Sequence, residues 1–273
     1  MISIYALPDY IGRSYSRHSP ELSARRLSSR LRGTEISNYL GVKLNPTERD
    51  GVCVHVKPKD LKEVQDGDYV DFLDGFYLIH PLRTRPLVKI IAASLCSYEW
   101  LKKEFKNEVV LIPQHHLNWD RLVRTKKEIT TCGYIGNPSP EAFKLYSEIG
   151  ERLKKIGLDL VTCFNFKTRQ DALDLYLKTD IFVIGDWNAP DSPHRIPTKI
   201  INAASFGIPS VAFPMQGNKE IEGYYLKARN LDEMIEEVRK LKDENYYNVW
   251  SSKVLKMSEN YHISNMPDLY NKL

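Results

Sequence analysis

Short apolar runs alternate with longer amphipathic stretches along most of the chain. Runs at 2–6, 51–56, 69–73, 87–92 and 108–112 have the length of strands and end in polar, Gly or Pro residues. Between them, 19–33 predicts a helix. Ser19-Pro20-Glu21 is its start signal, Gly33 its stop, and Ala24, Leu27 and Leu31 form its apolar stripe. A second helix is predicted over 97–105. Beyond a polar, charged connector at 120–127 the alternation becomes regular. Strands at 129–135, 160–163, 181–184 and 209–213 take turns with helices at 140–156, 169–178, 197–207 and 230–244. Such alternation predicts α/β architecture: parallel sheets covered by helices on both faces. Two Rossmann-like domains are expected, at 1–119 and 128–273. No internal repeat or low-complexity tract interrupts them.

The segment 180–222 carries the most chemistry. Its first apolar run ends in Gly185-Asp186, and a polar loop leads to a helix opening at Pro197 and closing at Gly207. A loop that follows a strand lies at the carboxyl edge of the sheet, where open α/β sheets bind ligands. Asp186, Asp191, His194, Arg195, Thr198 and Lys199 fall there. Helix amides and two cationic side chains suit an anion. Any βαβ unit has a polar loop at this edge, however, and Pro near a helix start is ordinary capping chemistry.

The same residues resemble the nucleotide-sugar-binding half of GT-B-fold glycosyltransferases, in particular the retaining family four, or group 1. NAASFGIPSVAF at 202–213 is similar to that family's E-A-x-A-x-G-x-P-V-V-A helix and strand. QGNKEIE at 216–222 resembles its Gly-rich turn before E-I-I, and NLDEMIEEVRKLKDE at 230–244 its next helix. GYIGN at 133–137 looks like the strand that opens the second domain, and IPQHHLNW at 112–119 like an I-P-N-G-V-D strand end. Two features depart from the family. A pair of Glu beside the helix start is replaced by His194 and Asn202, and the basic pair usual after the opening strand gives way to NPSPEAF.

The resemblance implies two Rossmann-like domains with an N-terminal one that is unusually small, and a last helix that crosses back onto the first domain. It implies a nucleotide-diphospho-sugar donor on the second domain and an acceptor on the first. Lys199 and Arg195 are then expected to stabilise the leaving diphosphate, with His194 beside the transferred sugar. Gly136, Asn137, Phe166, Thr198 and Asn202 are expected on the donor. On the acceptor side, His18, Asp71 and Asp74 are the candidate general bases, should inversion need one, and Arg25 and Arg26 candidate anion contacts. A lone Asp or His of this kind more often caps a turn or a strand end. Metal independence is expected, with no cofactor beyond the sugar nucleotide.

Composition narrows the setting. The 273 residues carry a net charge of +4, and no apolar run approaches the ~18 residues needed to span a bilayer. The N-terminus lacks the charged and apolar regions of a signal peptide. Cys53, Cys96, Cys132 and Cys163 stand singly, which argues against a zinc site and for thiols in a reducing cytoplasm. His115-His116 cannot chelate together on an extended strand, where neighbours point to opposite faces. Arg13, Arg17, Arg25, Arg26, Arg30 and Arg32 crowd one stretch with Glu21 as its only acid. That patch suits an anionic membrane surface, a lipid-linked acceptor or a nucleic-acid backbone, or is simply a solvated face. A glycosyltransferase in glycan or glycolipid synthesis, cytoplasmic or peripheral at a membrane, is the leading expectation. The alternatives are a GT-B-like binding module without turnover, a nucleic-acid sugar transferase and a sugar-nucleotide epimerase.

Overall fold

The computed structural model describes residues 2–6, 30–125, 128–136, 139–164, 166, 168–185, 192 and 195–273. Contacts divide the chain into two compact units. One holds Met1–His115, Ser192–Ile196 and Ile263–Leu273, the other His116–Asp191 and Pro197–His262.

The first unit is built on a six-stranded parallel sheet of order β2-β1-β3-β4-β5-β6. Its strands are β1 (Ile2–Ala6), β2 (Lys43–Leu44), β3 (Val52–Val56), β4 (Tyr69–Asp71), β5 (Lys89–Ala92) and β6 (Val109–Leu111). Val54, Val70, Ile90 and Ile91 are fully buried, as expected for strands covered on both faces. A π-helical stretch, Arg30–Glu35, runs into α1 (Ile36–Leu40). Later come α2 (Ile79–Arg83) and α3 (Leu95–Glu104), the latter capped by Ser94, whose hydroxyl accepts from the Ser97 amide at 3.2 Å. Leu78, Leu82, Leu101 and Phe105 pack with Val70 and Ile90 into one core.

Gly33 does not end its helix. The helical path continues to Leu40, and Gly41, with φ of 66°, is the left-handed cap. Gly33 answers a different demand. A Cβ there would come within 2.5 Å of the Ala6 Cβ, so the glycine lets the helix lie against β1. The short β2 and α2 have no counterpart in the sequence pattern.

The second unit holds a five-stranded parallel sheet of order β11-β10-β9-β7-β8. Its strands are β7 (Thr131–Ile135), β8 (Asp159–Cys163), β9 (Ile181–Ile184), β10 (Ser210–Ala212) and β11 (Leu226–Lys227). The helices α4 (Pro140–Lys154), α5 (Arg169–Lys178) and α6 (Thr198–Ser205) follow β7, β8 and β9, α7 (Leu231–Lys240) follows β11, and α8 (Glu244–Ser258) follows α7. Cys132, Ile149, Leu153, Ile181, Val183 and Met234 make its core. Strand β8 lies on one side of β7 and β9 on the other, so the order reverses between β7 and β9. That reversal is the topological switch point at which such sheets take ligands. A short helix, α9 (Pro267–Tyr270), lies in the returning segment of the first unit.

Candidate functional site

Strands β7 and β9 end at Ile135 and Ile184, and each is followed by a glycine. Gly136 donates its amide to the Cys163 carbonyl at 3.1 Å, and Gly185 donates to the Tyr146 hydroxyl at 3.0 Å. Two tyrosines lie beneath this edge. Tyr134, on β7, is 2% exposed and stacks on Tyr146 of α4 with ring centroids 3.6 Å apart. The Tyr134 hydroxyl reaches so close to Gly136 that a Cβ there would meet it at 2.2 Å. Phe164 closes the cluster, 5.7 Å from Tyr134 and 4.5 Å from Phe143, which is 49% exposed.

Lys199 brings a cation to the same place. Its Nζ donates to the Tyr134 hydroxyl at 3.2 Å and lies 4.6 Å from the centre of that ring. The lysine is half-buried on the first turn of α6. Ser139, Thr168, Asn230 and Asp243 cap α4, α5, α7 and α8 with side-chain acceptors; α6 starts at Pro197 without one. First-turn amides have no partner inside a helix, and those of α6 begin beside the lysine. Thr198, its first residue, is half-buried as well.

The remaining expected residues distribute differently. Gly136 does not offer its amide to a phosphate, because Cys163 takes it; the tyrosine beneath is what requires a glycine there. Asn202 is buried, and its carboxamide oxygen accepts from the Leu117 amide at 3.0 Å, which fixes the linker to α6 instead of facing a ribose. Phe166 is half-buried, and the aromatic of that loop which joins the ring cluster is Phe164. Arg195 is exposed, within the short segment 192–196 that belongs to the first unit.

Asp71 is no acceptor-side base. It is fully buried and pairs with the equally buried Arg32 at 2.6 Å. Burial pushes its carboxyl above the usual range, against the pull of the Arg32 guanidinium. Arg32 also donates to the carbonyls of Ile112 and Pro113. Asp74 is exposed and ion-paired with Lys57. His115 turns to Glu35 and His116 to the ring of His262. His18, Arg25, Arg26, Asn137, Asp186, Asp191 and His194 lie outside the described residues.

No group of three or more His, Cys, Asp or Glu among the described residues is arranged to hold a metal ion. None of the helices there is long and apolar enough to cross a membrane. An open hollow between α4 and α7 is lined by Glu148, Arg152, Asp232 and Arg239, helix-surface charges already engaged in ion pairs, and it involves none of the residues of the switch point.

Tyr134 and Tyr146 escape a reading of the sequence by itself. A signal exists: a Tyr in place of an aliphatic residue inside an apolar strand calls for a partner for its hydroxyl.

No protein-family model matches the sequence, and no curated protein matches it significantly. Solved structures do match. AviGT4, a glycosyltransferase involved in avilamycin A biosynthesis, is 11% identical, with a TM-score of 0.56 over 100% of this chain and 98% of that one. A point mutant of S. aureus TarM, in complex with fondaparinux, α-GlcNAc-glycerol and UDP, is 14% identical, with a TM-score of 0.56 over 84% of this chain and 52% of TarM. The pneumococcal O-GlcNAc transferase GtfA, in complex with UDP and GlcNAc, is 13% identical, with a TM-score of 0.53 over 81% of this chain and 51% of GtfA. The chain thus spans about half the length of TarM and GtfA and nearly all of AviGT4. Its fold is the two-sheet α/β fold of these GT-B glycosyltransferases.

Proposed function

We propose that the protein transfers a sugar from a nucleotide-diphospho sugar to an acceptor, with the diphosphate bound at the β7/β9 switch point. The observation that carries this reading is the meeting of Lys199, the uncapped start of α6 and two strand-end glycines at one point of a GT-B-like sheet. UDP in the TarM and GtfA structures supports a nucleotide donor here as well.

The chemistry follows from where charge develops. Breaking the bond between the sugar's anomeric carbon and the phosphate oxygen leaves a nucleoside diphosphate with added negative charge. A positioned ammonium and helix amides stabilise that charge more in the transition state than before it. In the retaining route the acceptor oxygen bonds to the same face of the anomeric carbon. Its proton passes to the departing phosphate oxygen, so no separate base is required. Cation and helix donors together take the place of a divalent metal. The acceptor is proposed to be a glycan or a lipid-linked one, met at the cytoplasmic side of a membrane by the arginine-rich stretch. A second reading has one observation in its favour: Asn202 is tied to Leu117, which suits a module that binds the nucleotide without turning it over.

Calorimetry with UDP, ADP and GDP in the presence of a chelator tests the proposal. One of the three is expected to bind, and Lys199→Ala to weaken it about tenfold to a hundredfold, the range of a charge-assisted contact worth roughly 1.5–3 kcal/mol. Binding that needs added magnesium or manganese, or that ignores Lys199→Ala, overturns the diphosphate site. Steady release of nucleoside diphosphate from the matching sugar nucleotide separates transferase from binding module.

A further inference from the structure

The geometry points to Tyr134 as the positioning residue for Lys199, an inference that rests on the reading above that Lys199 meets the donor's diphosphate. A lysine on a helix surface samples many rotamers, and an anion that binds it must first collect them into one. Here the collecting is built into the sheet. The Tyr134 hydroxyl accepts from Nζ at 3.2 Å, and the ring face lies 4.6 Å from the same nitrogen, so one side chain engages the ammonium in two ways.

The ring that does this cannot move far. It is 2% exposed, packs face to face on Tyr146 at 3.6 Å, and meets Phe164 at 5.7 Å. Tyr146 is itself held, because its hydroxyl accepts from the Gly185 amide at 3.0 Å. The two stacked tyrosines therefore end at the two strands that flank the switch point: Tyr134 under Gly136 after β7, and Tyr146 under Gly185 after β9. Lys199 is referenced to both strand ends through one rigid stack. An ordinary buried tyrosine that merely satisfied its hydroxyl with a nearby lysine would need neither the glycine above it nor the second tyrosine.

The consequence is that Tyr134 acts only through Lys199, and this separates it from a purely structural role. Binding of UDP and of inorganic pyrophosphate is measured by calorimetry for the full chain, Tyr134→Phe, Lys199→Met and the double variant. Tyr134→Phe keeps the ring and the stack and removes one oxygen. It is expected to weaken both probes about five- to tenfold, and to add nothing when Lys199 is already Met. Tyr134→Phe that binds like the wild-type chain, or that loses as much in the Lys199→Met background as alone, overturns the inference and leaves the diphosphate site standing. A wild-type chain that binds neither probe overturns both. A second measurement needs no variant. The Lys199 ε-methylene resonance is expected upfield of ordinary lysines because of the ring beneath it, and to move when pyrophosphate is added. An unshifted resonance removes the contact on which the inference stands.

Discussion

Asp180 shows how much one side chain can hold in this molecule. It precedes β9, and its carboxylate accepts from the amides of Thr130 and Thr131 at 2.7 and 2.8 Å and from Arg124 Nε at 2.7 Å. Its own carbonyl accepts from the Tyr247 hydroxyl at 2.8 Å. Burial by itself would raise the Asp180 carboxyl, but the amide and guanidinium donors overcome it and hold the group below its ordinary value. A carboxyl lowered on folding stabilises fully above its unfolded value of about 3.9, and that contribution fades as pH falls through the folded value. Asp180→Asn is therefore expected to cost about 3–5 kcal/mol near neutral pH, because it leaves Arg124 and two amides without their anion. It should also flatten the loss of stability below about pH 4. Urea titrations of both proteins at pH 7 and pH 3 check this; parallel curves at every pH would show that the carboxylate contributes nothing. Asp180 is legible in the sequence only as the residue before an apolar run, since its donors come from 124–131, some fifty positions away. Lys199 is legible because Pro197-Thr198-Lys199 follows a strand and a polar loop. Tyr134 is not, because nothing in a linear pattern says that a strand tyrosine and a helix lysine 65 positions apart share a hydrogen bond.

At the scale of elements the sequence reads well mostly where a clear apolar period repeats. β7 to β10 and α4 to α7 fall within a few residues of their apolar patterns, since 15 residues of α4 or 10 of α5 contain several turns; α8, also 15 residues long, lies in the polar, aromatic stretch where no period stands out. A strand of two residues such as β2, or a helix of five such as α2, contains no full period and stays invisible. Gly33 exposes a different limit. A glycine near the end of an amphipathic run reads as a left-handed cap, yet the same residue serves when a helix must touch a strand, and only the partner distinguishes the two. The distance of 2.5 Å from a Cβ at position 33 to the Ala6 Cβ makes the distinction testable. Gly33→Ala is expected to destabilise the first unit by about 1–3 kcal/mol through overpacking, and Gly41→Ala through its positive φ. If Gly33→Ala melts at or above the temperature of the parent chain, the close approach is not what fixes the glycine.

On the scale of the whole chain, the first unit is discontinuous. Its sheet comes from the first 115 residues, but Ile263–Leu273 belongs to it too. Ile263, Met266 and Tyr270 are buried, and the Tyr270 ring lies 5.9 Å from the guanidinium carbon of Arg32, the partner of Asp71. The periodicity that locates the strands has no counterpart in the polar, aromatic stretch 245–273; only the resemblance implies that its last helix returns to the first domain. Removing Ile263–Leu273 is expected to open the surroundings of the Arg32–Asp71 pair and to destabilise the first unit while the core of the second persists. Hydrogen exchange resolved along the chain checks this. Amides of β3 to β5 should lose protection in the truncated protein and those of β7 to β9 keep it; equal loss in both would mean that the tail does not serve the first unit specifically.

That discontinuity has a consequence for the order in which the protein is made. A ribosome delivers the six strands of the first unit early, and the residues that close it only after nearly all of the second. At the ~5–20 residues per second of synthesis, the nascent chain carries an unfinished first unit for on the order of ten seconds, until residues 263–273 are made. The residues of the second unit, encoded in between and none of them after His262, are all made before the last residues of the first. A chain released just short of Ile263 therefore carries every residue of the second unit but lacks those that complete the first.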